Sequence, residues 1–124
     1  MDLQTLLTDA RTIAVVGCSP RPSQTSHRIA RYLQDAGYRV VPVNPYHDEL
    51  LGERCYPNLR DIPADVEIDI VNVFRRPEHT PGVVEDAAAR HGETGQAPTV
   101  WTQIGVHAPE AERRAAEAGL PYIA

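Results

Sequence analysis

The chain contains no lysine; all twelve of its basic residues are arginine. That excludes a Walker-type lysine, a Schiff-base lysine and a lysine general base. An anion must therefore be held by guanidinium groups, backbone N–H groups or hydroxyls. Cysteine is scarce: Cys18 and Cys55 stand far apart and fit no metal-ligand spacing. In a cytosolic protein they are expected as reduced thiols rather than as a disulfide. His47, His79, His91 and His107 are scattered without ligand spacing, so no metal site is expected. No apolar run approaches the roughly 20 residues of a membrane span. The opening MDLQTLLTDARTI carries an acid and no basic n-region, unlike a signal peptide. The cytoplasm is the expected location. A net charge of −5 speaks against a general nucleic-acid or membrane-surface binder. Repeats, linkers and low-complexity tracts are also missing, and 124 residues suit one domain, 1–124, with a real core.

What is present is an alternation of two periods. Asp2 is placed to cap a short helix over Leu3, Leu6 and Leu7, ending near Ala10. Ile13-Ala14-Val15-Val16 is short, β-branched and free of polar residues, as a strand buried on both faces should be. Gly17 stops it, and from about Ser26 to Ala36 the apolar residues Ile29, Ala30 and Leu33 fall at helical spacing, with Gly37 placed for a positive-φ C-terminus. Tyr38 to Val43 reads as a second strand, and Tyr46 to Asn58 as a loop. A short helical turn is expected at Leu59–Ile62, and a third strand at Ile68–Phe74 in which Asp69 and Asn72 need hydrogen-bond partners. Thr80-Pro81 is expected to open a helix, with Thr80 as cap and Val83, Val84, Ala87 and Ala88 facing inward, closing at Gly92 before a polar turn to Ala97. A fourth strand at Thr99–Gln103, a helix from Pro109 to Gly119 and the start of a fifth strand at Pro121 follow.

Five such alternations predict an α/β fold: a Rossmann-like, doubly wound parallel sheet of about five strands with helices on both faces, three layers α/β/α. Ligands of that architecture bind beyond the carboxyl ends of the strands. The rule selects four loops, Gly17–Thr25, Asn44–Tyr46, Phe74–Pro77 and Thr102–Gly105. A dinucleotide fingerprint would need three glycines after the first strand and an acid after the second. Here Gly17-Cys18-Ser19-Pro20-Arg21 has one glycine, and Asn44 stands where the acid would be. What remains is a loop of hydroxyls with Arg21, facing a helix that starts Ser26-His27-Arg28. That combination suits a phosphate or diphosphate held by backbone and arginine. His27 is either a phosphate donor or a solvated first-turn residue. Cys18 lies near a helix N-terminus, which lowers a thiol pKa, but no base is positioned beside it, so a small loop residue is expected.

The residues Gly17-Cys18-Ser19-Pro20 leading to Ser26-His27-Arg28-Ile29, the stretch Gly37-Tyr38-Arg39-Val40-Val41-Pro42-Val43-Asn44-Pro45, then Asp69 to Pro77 and Val100-Trp101-Thr102-Gln103, keep their order across nearly the whole chain. In them the sequence resembles the small bacterial CoA-binding proteins, which are similar to the CoA-binding domain of succinyl-CoA synthetase α-subunits and NDP-forming acyl-CoA synthetases. The resemblance implies a non-catalytic module that binds coenzyme A or an acyl-CoA, since the synthetases' chemistry depends on further domains. It places Gly17, Cys18, Ser19, Pro20 and Arg21 around the diphosphate, with Ser26 and His27 close by. Asn44, Pro45 and Tyr46 would border the adenosine end, with Phe74, Arg75, Arg76, Thr102 and Gln103 along the pocket. It also implies a longer last strand ending in a cysteine, and a basic tail, beyond Ala124. The alternatives are a small Rossmann-fold enzyme, either an NAD(P)-dependent oxidoreductase or a CoA transferase-like protein, and a CoA-sensing regulatory subunit.

Overall fold

The computed structural model describes residues 3–102 and 108–123. A helix α1 (Leu3–Asp9) leads into β1 (Thr12–Val16), followed by α2 (Thr25–Asp35), β2 (Arg39–Val43), a small hairpin β3 (Glu49–Leu50) and β4 (Glu53–Arg54), and β5 (Ile70–Val73). The chain continues through α3 (Thr80–Thr94), β6 (Thr99–Thr102), α4 (Pro109–Glu117) and β7 (Tyr122–Ile123). Five strands pair in the order β2-β1-β5-β6-β7, and every pairing is parallel. The fold is thus the α/β, Rossmann-like three-layer arrangement that the alternating periods predict.

Side-chain alternation along the strands divides the core in two. Ile13, Val15, Val40 and Ile70 pack with Leu6 of α1 and Ala30 and Leu33 of α2. Ala14, Val16, Val41, Val71, Val73 and Val100 pack against Val84 and Ala87 of α3 and Ala111 and Ala115 of α4 on the opposite face. Strand β1 is buried along its whole length, which explains its unbroken apolar run. Pro42 fits β2 because β2 is the edge strand: its carbonyl, on the side away from β1, accepts from Tyr56 N–H at 3.1 Å. The polar residue Asp69, just ahead of β5, finds its partners, accepting on Oδ2 from the N–H groups of Arg11 and Thr12 at 2.9 and 3.0 Å.

Several local expectations are corrected. The loop after β2 contains the β3–β4 hairpin, whose two-residue turn has both Leu51 (φ 55°) and Gly52 (φ 73°) in left-handed conformations. Leucine carries no sequence signal for such a turn. Thr80 does not cap α3. A 3-10 turn at Pro77–His79 feeds directly into the helix, and the buried Thr80 hydroxyl donates back to the Arg76 carbonyl at 3.1 Å. The helix also runs through Gly92 to Thr94 and ends at Gly95, where φ is +79°. The 3-10 turn at Leu59–Asp61 does form, capped by Asn58, whose Oδ1 accepts from Asp61 N–H at 2.9 Å. Asp2 as a helix cap, His107 and the stretch Gln103–Gly105 lie outside the described residues.

Candidate functional site

Strand order places the switch point between β1 and β5, where the crossover from β1 runs through α2 on one face and that from β5 through α3 on the other. Two residues meet there. Gly17 ends β1 with φ +83°, and a β-carbon on it would lie 2.4 Å from the carbonyl oxygen of Phe74. Only glycine permits both the backbone angle and the approach of the two strand ends.

Two hollows open on either side of this contact. One, of about 410 Å³, lies under the start of α2 and is lined by Gly17, Ser19, Gln24, Thr25, Ser26 and the segment Phe74–Pro77. The other, of about 360 Å³, lies toward α3 and β2, with Val16 and Val43 in its floor and Pro45, Pro57, Gly82 and Val83 in its walls. Among the described residues that line the first there is no carboxylate. The second has Glu85 and Asp86 on its rim, but each is paired, Asp86 with Arg60 at 3.0 Å and Glu85 with Arg114.

The loop from β1 to α2 is held by its own polar groups. The buried Ser26 Oγ accepts from Ser19 N–H at 2.9 Å, Ser19 Oγ accepts from Arg21 N–H at 3.1 Å, and the His27 ring Nδ1 is bonded to the Ser19 carbonyl at 2.9 Å. Through Nδ1, His27 braces the loop. Helix α2 begins after Gln24 with no side-chain cap and no acid in its first turn. Its first N–H groups are thus left to solvent or a ligand, at the positive end of the helix dipole. Arg21, Arg75 and Arg76 are exposed and make no ion pair among the described residues.

Asn44 turns inward. Its Nδ2 donates to the Cys18 carbonyl at 2.9 Å and its Oδ1 accepts from Tyr46 N–H at 2.8 Å, so it ties β2 to the β1 loop. Its own N–H donates to the Tyr56 carbonyl at 2.9 Å. Pro45 lines the second hollow, and the Tyr46 side chain beside it is 87% exposed. Pro20 sits on the exposed part of the β1 loop, Thr102 ends β6 with a buried hydroxyl, and Gln103 lies outside the described residues.

Cys18 is corrected in one respect. Its thiol is fully buried in the α2-side core, and burial, with the Cys55 thiol nearby, pushes its pKa up to about 11. Desolvation overrides the helix terminus that would have lowered it. Only its backbone can face a ligand. Cys55 is likewise buried and its thiol raised, chiefly by burial. Sequence reasoning missed Gln24, Thr25, Pro57, His79 and Gly82 as lining residues. Gln24 and Thr25 fell within or beside a loop already selected, whereas Gly82 in the first turn of α3 gave no signal. Among the described residues no group of His, Cys, Asp or Glu is arranged to hold a metal ion, and no helix is long and apolar enough to cross a membrane.

Comparison with known proteins bears on this site. The Bacillus subtilis protein YneT is 45% identical over 122 residues, covering 98% of this chain and 85% of that protein. The structure of a hypothetical protein from Pyrococcus horikoshii OT3 superposes with a TM-score of 0.86 at 38% identity, over 97% of this chain and 80% of its own. A dinucleotide forming acetyl-coenzyme A synthetase 1 from Ca. Korarchaeum cryptofilum matches with a TM-score of 0.75 at 32% identity, over 98% of this chain but 27% of the synthetase. The family model described as CoA binding domain matches residues 11–124, and with β1, its glycine turn and every later strand inside that match, the chain belongs to the CoA-binding domain family.

Proposed function

We propose that this chain is a single CoA-binding module that holds coenzyme A or an acyl-CoA across the carboxyl ends of β1, β2, β5 and β6, without carrying out a reaction on it. The observation that carries this is the hollow under α2: among the described residues it is lined by no carboxylate, faces an uncapped helix start, and has Arg75 and Arg76 on its wall without ion-pair partners. A diphosphate fits those groups, with the Gly17–Arg21 backbone bending around it. Membership of the CoA-binding domain family favours CoA over other diphosphates. Asn44 in place of an acid avoids repulsion of a phosphorylated ribose, which supports CoA over NAD. The roles of Ser19, Pro20, Pro45, Tyr46, Phe74, Thr102 and Gln103 along the ligand are part of the same proposal.

The absence of a reaction is supported by Cys18. A thiol whose pKa is pushed up to about 11, fully buried, is protonated and shielded at neutral pH and is a poor nucleophile. The matched synthetase is nearly four times as long, so most of it has no counterpart in this chain. A cytoplasmic location belongs to the proposal as well.

Calorimetric titration with CoA, acetyl-CoA, dephospho-CoA and NAD tests this. CoA and acetyl-CoA should bind, dephospho-CoA more weakly, and NAD not measurably. Binding of NAD with no heat from either CoA would overturn it in favour of a small dehydrogenase. Mass spectrometry of the purified protein should find CoA or an acyl-CoA retained.

A further inference from the structure

We propose that Arg75 is the specificity-determining residue of the crevice, selecting a diphosphate substituted at both ends over one that ends in a free phosphate. This rests on the diphosphate assignment above and goes beyond it, because it names the side chain that reads the ligand and the shape of ligand it reads. Among the described residues Gly17 and Arg75 line both hollows, and glycine has no side chain. Arg75 is therefore the one side chain common to the two spaces among the described residues.

Its stem lies against the bare face of Gly17, with Cδ 3.2 Å from the point a β-carbon would occupy. Among the described residues its guanidinium makes no ion pair, whereas the acids on the rim are already paired, Asp86 with Arg60 and Glu85 with Arg114. The cation stands at the junction of the two hollows, of which the α2-side one has the more apolar lining and the α3-side one the more polar, with Asn58 and His79 in it. A ligand that spans both places its negative charge at this cation, beside the start of α2, and extends a substituent into each hollow. Pyrophosphate or a nucleoside diphosphate engages the cation but leaves at least one side unfilled.

The α3-side hollow can be closed without disturbing the fold. A β-carbon on Gly82, in the first turn of α3, would meet no atom within 4 Å, so a larger side chain there projects into open space. The experiment is isothermal titration of the full chain and of its Arg75→Ala, Arg75→Lys and Gly82→Leu variants with pyrophosphate, ADP, CoA and NAD. The native chain should bind CoA about tenfold or more tightly than ADP, and Arg75→Ala should lower CoA affinity by about tenfold or more, with Arg75→Lys in between. Gly82→Leu should weaken CoA by a similar factor and leave pyrophosphate within about twofold. CoA binding by Arg75→Ala at the native affinity would overturn the role of Arg75 and leave the CoA assignment standing. Equal weakening of pyrophosphate and CoA in Gly82→Leu would overturn the two-sided arrangement. If NAD binds in an Arg75-dependent way and CoA does not, the CoA assignment fails and Arg75 keeps its role.

Discussion

The α-carbon of Gly17 faces the carbonyl of Phe74 so closely that a β-carbon would sit 2.4 Å from its oxygen. The contact joins β1 to β5 at the point where the winding reverses, and the site is built around it. Gly17→Ala adds left-handed strain and a clash with backbone that cannot rotate away. The expected cost is about 2–3 kcal/mol, measured by urea unfolding, with CoA affinity falling as the strand ends part. An alanine variant of native stability would show that the two strand ends separate freely.

Asn44 and Cys18 make a second tie, between β2 and the β1 loop. In Asn44→Asp the donor facing the Cys18 carbonyl becomes an acceptor, while the bond from Tyr46 N–H survives. At neutral pH the change should cost about 1–3 kcal/mol. The introduced carboxyl regains a donor only when protonated, so the deficit should shrink as pH falls toward its pKa. A deficit that stays constant between neutral and mildly acidic pH would separate the loss of stability from this bond.

How much of this was legible in the sequence follows from which interactions are local. The strands announce themselves through runs such as Ile13–Val16, because burial on both faces demands apolar residues. The candidate loops were legible by the same route, since the strand ends fix where a ligand can sit. What eluded the sequence depends on contacts far apart in the chain. The Leu51-Gly52 turn is set by the pairing of β3 with β4 and not by leucine's preference. The inward turn of Asn44 needs the Cys18 carbonyl, and the raised thiol of Cys18 needs a core assembled from elements far apart in the chain. His27 showed its polarity but not its partner, the Ser19 carbonyl eight residues back.

Arg90 is buried in α3 and, among the described residues, has no carboxylate partner. Its guanidinium donates to the carbonyls of Ile62, Pro63 and Val66, fastening the segment ahead of β5 to the helix, and burial lowers its pKa. Arg90→Met keeps the apolar stem and removes every donor. It should cost about 2–3 kcal/mol and lower the thermal midpoint by several degrees in calorimetry, with Arg90→Lys recovering only part. Because neither Arg90 nor the three carbonyl residues lines either hollow, CoA affinity should change little. A large loss of affinity at native stability would place Arg90 in the site instead.

The Cys18 thiol gives the protein an alkaline limit. Its pKa is about 11 when folded against 9.0 for the free group, so ionisation favours the unfolded chain. The protonated thiol's contribution is fully present below the unfolded value and is lost as pH climbs from 9 through 11. Stability should fall across that window by about 2–3 kcal/mol on account of this group. Cys18→Ala should be less stable at neutral pH because it leaves a small void, yet flatter between pH 9 and 11, so the two curves converge with rising pH. Iodoacetamide at pH 7.5 should modify Cys18 only on unfolding, read as protection by peptide mass spectrometry with and without urea. Parallel pH curves for the two proteins, or prompt alkylation of the folded chain, would return the thiol to the list of reactive groups.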